Sequence, residues 1–252
     1  MNSKKTFRTK ELRGSRLRCL MLTSMPRQQV ASILTQLVEP IATVNANRHV
    51  WAPAGFLQPD EAQLAKGEDF LTSRQGQEVT DWWLKVTDHA NTPNWDLVSQ
   101  CEIGGKPGLI LVEAKAHTAE PKREGKPKGH KDNDDQIEKA IQQANSALNK
   151  ILAGWKLTRD SHYQLCNRFA WTWKLTTMGI PTILVYLGLL HCDEMSDQGV
   201  PFNSFEDWER ALREHADSVV PANAWGVRIP TSPAPMWALI RSLDMQWGVQ
   251  RH

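Results

Sequence analysis

The chain reads as an α/β protein: a central mixed β-sheet flanked by helices, with helical or irregular extensions at both ends. Three observations predict this. Residues 109–112 and 183–187 form runs that are apolar on both faces, as strands covered by helices are. Residues 95–103 alternate, and the turn Gly104-Gly105-Lys106-Pro107-Gly108 joins them to the first run as a hairpin. Segments with apolar residues at helical spacing separate and surround these runs.

Taken in order, residues 1–18 carry seven Lys or Arg against Glu11 alone, so they hold a charge of +6 and show no apolar periodicity. They predict a flexible basic arm over 1–25, a solvated tail more readily than a nucleic-acid arm. One domain over 26–252 follows, with its core at about 70–190. Val30, Ile33, Leu34 and Leu37 predict a helix over 28–37, and Pro59-Asp60-Glu61 predicts a short one over 60–66. Val79, Trp82, Trp83 and Val86 stripe a helix over 76–86. Strands at 95–103 and 109–116 come next. The loop 118–134 holds Lys122, Arg123, Lys126, Lys128 and Lys131, balanced by nearby acids, and its length suits either a functional flap or a solvated loop. Ile137, Ala140, Ile141, Ala144 and Leu148 stripe the next helix, capped at Asp134 or Asp135. A helix over 161–178 is capped by Asp160 or Ser161 and stopped by Gly179 and Pro181. A buried strand at 182–189 and a helix at 203–217 complete the pattern. The proline-rich tail carries one further apolar piece, 236–243, with no assigned structure.

The 252 residues carry a formal charge of +2, which argues against a protein held to nucleic acid by bulk charge and leaves room for a local basic surface. No apolar run is long enough to span a bilayer and no secretory leader is evident, so no membrane partner and a cytoplasmic location are expected. Cys19, Cys101, Cys166 and Cys192 lack metal-ligand spacing and read as reduced thiols. Eleven tryptophans are unusual; most are expected in the core, and Trp95 and Trp171 lie nearest the chemistry in sequence.

That chemistry centres on Glu113-Ala114-Lys115, which ends an apolar strand, and on Asp96, at the start of its hairpin partner. Strand alternation sends Glu113 and Lys115 to one face. Two carboxylates at the end of a buried hairpin repel one another unless a cation lies between them, and hard oxygen donors suit Mg²⁺. Lys115 beside such an ion would hold a water or a phosphate oxygen. The plainer alternative is an exposed Glu113–Lys115 pair, with Asp96 closing a turn after Pro93.

At these residues the sequence resembles the PD-(D/E)XK nuclease superfamily, which has the restriction-endonuclease-like fold. Its acidic helix residue, strand-start Asp and E-x-K are matched by Glu78, Asp96 and Glu113-Ala114-Lys115, over roughly residues 70–190. The PD element departs from the pattern, since Asn94 and Trp95 separate Pro93 from Asp96. The segments Thr92–Asp96, Leu111–His117 and Tyr163–Lys174 also resemble an uncharacterised bacterial protein family, which identifies relatives without a substrate.

The resemblance implies a metal-dependent nuclease that hydrolyses phosphodiester bonds. Asp96, Glu113, the carbonyl of Ala114 and Glu78 would hold Mg²⁺ or Mn²⁺, with Asp81 competing for the place of Glu78. Lys115 would orient or activate water. Gln164, Asn167, Arg168 and His117 would contact substrate, Arg168 through its bidentate fork. Nucleic acid, DNA ahead of RNA, is the implied partner, and a homodimer is compatible. The alternative is a non-catalytic protein that keeps the fold to bind nucleic acid or protein.

Overall fold

A computed structural model describes residues 13–67, 69–120 and 131–245. Its centre is a six-stranded mixed sheet in the order β1-β2-β3-β4-β6-β5, where β1 is Trp51–Ala52, β2 Leu97–Ile103, β3 Lys106–Lys115, β4 Thr182–Leu190, β5 Arg228–Ile229 and β6 Met236–Asp244. β2 and β3 form the antiparallel hairpin, in register Leu97↔Val112. β3, β4 and β6 run parallel, so their carboxyl ends, Lys115, Leu190 and Asp244, share one edge.

Period-2 alternation divides the apolar residues between two layers. Leu109, Leu111, Leu184, Tyr186, Ala238 and Ile240 face a core built with α3 (Ser73–Trp83), α4 (Lys131–Asn149), α5 (Tyr163–Thr177) and α6 (Phe205–Ala216). Ile110, Val112, Ala114, Ile183, Val185 and Leu239 face the other core, built with α1 (Gly14–Thr23) and α2 (Arg27–Val38). Continuous apolar runs in β3 and β4 are the consequence of both faces being covered. Thr72 caps α3 in a reciprocal box with Gln75, and the Ser204 side chain accepts from the Asp207 amide to start α6. At Gly188 a Cβ would lie 2.3 Å from Trp208 Cγ, so glycine is what lets the indole of α6 lie on β4.

Several expectations are corrected. The basic arm does not extend to residue 25: residues 14–23 form α1, whose Cys19, Leu20 and Leu22 are buried, while residues 1–12 lie outside the described residues. No helix occupies 60–66; Ala62 instead forms a bridge with Trp95. α5 begins one residue after His162, which takes a left-handed backbone conformation and supplies no side-chain cap, so neither Asp160 nor Ser161 caps it. The apolar piece 236–243 is β6, an interior strand paired to β4. Of the lysine-rich loop, Lys122, Arg123, Lys126 and Lys128 lie outside the described residues, and Lys131 opens α4. Among the described residues no helix is long and apolar enough to cross a membrane.

Candidate functional site

The β2–β3 ladder ends at Leu97↔Val112, which brings the residue before β2 beside the end of β3. There the Asp96 Oδ2 accepts a 2.7 Å hydrogen bond from the Ala114 amide. In an extended strand the N–H and C=O of one residue point to the same side, so the Ala114 carbonyl is also directed toward the Asp96 edge.

Glu113 shares a face with Leu109 and Leu111 and therefore points at α5. It is 1% exposed, and both its oxygens are engaged. Oε1 accepts from Lys115 Nζ and from Gln164 Nε2 (2.6 Å); Oε2 accepts from Arg168 Nε at 2.7 Å. Lys115 also donates to Gln164 Oε1 at 3.0 Å. Arg168 completes its fork on the Asn94 carbonyl (2.7 Å) and Asn167 Oδ1 (3.1 Å), and its guanidinium lies 4.4 Å from the centre of the Trp95 ring.

The two carboxylates are electrostatically unequal. Burial pushes Asp96 up to about 8; the Glu113 charge adds to the rise, and Lys115 and the Ala114 amide only partly oppose it. Burial acts in the same direction on Glu113, but there Arg168 and Lys115 overcome it and hold the carboxyl below its ordinary value. For Lys115, burial favours loss of the proton, and the charges of Glu113 and Asp96 more than reverse it, so its ammonium is held above the ordinary value.

The structure thus brings together Asp96, Glu113, Ala114, Lys115, Gln164 and Arg168. Other expected site residues lie elsewhere or act differently. Glu78 is half exposed, and its carboxylate is bound by Lys174 at 2.7 Å. Lys174 stands ten residues past Gln164 on α5, about 15 Å along the helix, so Glu78 does not complete a cluster with Glu113. Asp81, its competitor, accepts from Gln77 at 2.7 Å on the same exposed face. His117 is 1% exposed, with Nδ1 accepting from the Ala119 amide at 3.3 Å, so it is neither a surface histidine nor placed to touch substrate. Asn167 is buried and braces Arg168. Arg168 is buried with its donors spent within the protein, so it positions Glu113 rather than gripping a phosphate. Trp95 and Trp171 are fully buried: Trp95 lies under Arg168, and Trp171 packs edge-on against Trp82 and Trp83. Neither offers a face to a base.

Two acids escaped the sequence reading. Glu61 raises the Asp96 pKa through its charge, accepts from Asn94 Nδ2 at 3.1 Å, and lies 3.7 Å from Arg16. Glu120 accepts from the Ala116 amide and lies 3.8 Å from His117 Nε2. The bridge between Ala62 and Trp95 is what carries Glu61 to the site, and no local pattern in the sequence announces it. All four cysteines are buried, and burial pushes Cys101 and Cys192 up to about 12, which excludes both as thiolate nucleophiles.

The donors at this edge suit a hard divalent cation. Asp96 is a residue of intermediate burial whose carboxylate has, among the described residues, no cationic partner at hydrogen-bond distance, the Ala114 carbonyl is directed to its side, and Glu113 is adjacent. Among the described residues no group of three or more His, Cys, Asp or Glu side chains converges as a ligand set. Searches against family models, curated proteins and solved structures find no match to this chain.

Proposed function

We propose that the chain is a metal-dependent phosphodiesterase acting on nucleic acid, DNA ahead of RNA, with a restriction-endonuclease-like core. One observation carries the reading. The strand-start Asp96 and the E-x-K of Glu113-Ala114-Lys115 meet at the carboxyl end of β3, joined by the Asp96–Ala114 hydrogen bond. A merely exposed Glu113–Lys115 pair does not account for this, because Glu113 and Lys115 are both buried.

Asp96, with the Ala114 carbonyl and Glu113, would hold Mg²⁺ or Mn²⁺. When bound, such an ion supplies a Lewis acid for the phosphoryl group and lowers the pKa of a coordinated water. The protein's own groups supply the rest. Lys115 keeps its proton, so it orients water or holds a phosphoryl oxygen and does not act as the base. Gln164, which bonds both Glu113 and Lys115, fixes their relative position. Arg168 fixes Glu113 from the other oxygen and ties the site to the Asn94 carbonyl.

A second reading has its own support. Glu113 is closed in by Lys115, Arg168 and Gln164, the arrangement expected of a protein that keeps the fold as a non-catalytic binder. One assay separates the two. Single-stranded and duplex DNA and RNA are incubated with the protein in Mg²⁺, Mn²⁺ or EDTA, beside Lys115→Ala and Asp96→Ala. The phosphodiesterase reading expects cation-dependent cleavage that falls by about a hundredfold or more in each variant. Cleavage that persists in either variant removes the site assignment. Metal-independent binding without cleavage establishes the binder.

A further inference from the structure

A cavity of about 570 Å³ opens at the carboxyl edge of the parallel strands, within the size range of small-molecule sites. Two of its walls are continuous with the candidate site. Thr118 follows Lys115 by three residues and is fixed by its amide donating to the Val200 carbonyl at 2.9 Å. His162 precedes Gln164 by two. The third wall is α6. The rings of His162 and His215 pack against each other in the lining, 4.6 Å between centroids at 54°, and form one aromatic wall. Asn203 supplies an amide, and Arg210 is already bonded to Asp207 at 2.7 Å. The Arg210 charge is therefore offset, and the exposed Glu214 leaves the wall with an excess of negative charge.

This chemistry disfavours a phosphate and suits a neutral, planar, hydrogen-bonding group. Imidazole planes offer stacking faces, and carboxylates accept from exocyclic amines. We propose that the cavity receives one unstacked nucleobase of the substrate strand and prefers the amine-bearing bases adenine, guanine and cytosine to thymine and uracil. The parent strand follows from the phosphodiesterase reading, on which the proposal rests for that identity. The cavity lies past the end of β3, with Thr118 three residues beyond Lys115, so the base would enter at the same edge of the sheet as the phosphate being cleaved.

The test uses the full chain in EDTA, titrated with deoxycytidine or thymidine 5′-monophosphate, with the His162 and His215 ring protons followed by NMR. Assignment uses His162→Gln and His215→Gln. Both resonances are expected to move with deoxycytidine monophosphate, and thymidine monophosphate to bind about tenfold more weakly, the loss typical of one hydrogen bond to a charged acceptor. Glu214→Gln, a substitution at an exposed position, is expected to narrow that preference. Resonances that stay in place, or equal binding of the two nucleotides, overturn the base site. Cleavage in Mg²⁺ is measured separately. Cleavage without nucleotide binding removes the base site and leaves the phosphodiesterase reading. Selective nucleotide binding without cleavage supports the base site and removes that reading.

Discussion

Replacing Asp96 by Asn should make the protein more stable above neutral pH while removing the proposed cleavage activity. The reason is the mismatch at this carboxylate. Burial holds its pKa at about 8 in the folded chain, against about 3.9 when unfolded. The folded state therefore binds the proton more tightly. The associated stability is fully present below about pH 4 and is lost as pH rises toward 8. Four units at about 1.4 kcal/mol each set a ceiling of about 5–6 kcal/mol. The effective dielectric at such sites, well above that of dry protein, reduces this to about 2–3 kcal/mol. Asn can still accept from the Ala114 amide through Oδ1 and carries no charge to desolvate. Urea unfolding at about pH 8.5 should place the Asp96→Asn midpoint about 1 M above wild type, given the slope expected for a chain of this size. Near pH 4 the two midpoints should coincide. A variant no more stable than wild type at the higher pH, or a gap that does not close in acid, refutes the account of Asp96.

Glu113→Gln should act in the opposite direction, because it leaves Lys115 and Arg168 buried without their counter-charge; a loss of about 3–5 kcal/mol is expected in the same urea experiment. Glu78→Ala removes a half-exposed pair with Lys174 and should cost less than about 1 kcal/mol with cleavage unchanged; a large fall in cleavage would restore Glu78 to the site.

The sheet was legible where one rule decided the outcome. Residues 109–112 and 183–187 are apolar at every position, and only burial on both faces produces that pattern in strands of this length. Residues 236–243 escaped because Arg241 and Ser242 interrupt the run, and because pairing to β4 across almost fifty residues is a tertiary fact. α1 was hidden by its arginines. Arg18 reaches Glu194 and Arg13 reaches Asp197, partners about 180 residues away that turn a basic run into a docked helix. At the site, the pairing of Asp96 with E-x-K was legible because hairpin register is local. The role of Arg168 was not, because a free fork and one occupied by Glu113, Asn94 and Asn167 have the same sequence. Glu61 reaches Asp96 only through a bridge between loops.

The inequality of the two carboxylates also sets how proton and metal should compete. Glu113 has two cationic partners in contact, whereas Asp96 has an amide and more distant charge. A divalent cation would gain more at Asp96, where it would relieve an unneutralised charge, than at Glu113, where it would have to displace Lys115 or Arg168. Because a proton satisfies Asp96 below about pH 8, a cation bound as proposed would first have to release it. The apparent Mg²⁺ dissociation constant should therefore fall about tenfold per pH unit from about pH 6 to 8 and level off above that. Calorimetric titration of wild type across that range should also show protons released on binding, and Asp96→Asn should show neither the slope nor the release. Mg²⁺ affinity independent of pH would mean that the ion is held by other donors, and that the contact between Asp96 and Ala114 is a structural clasp.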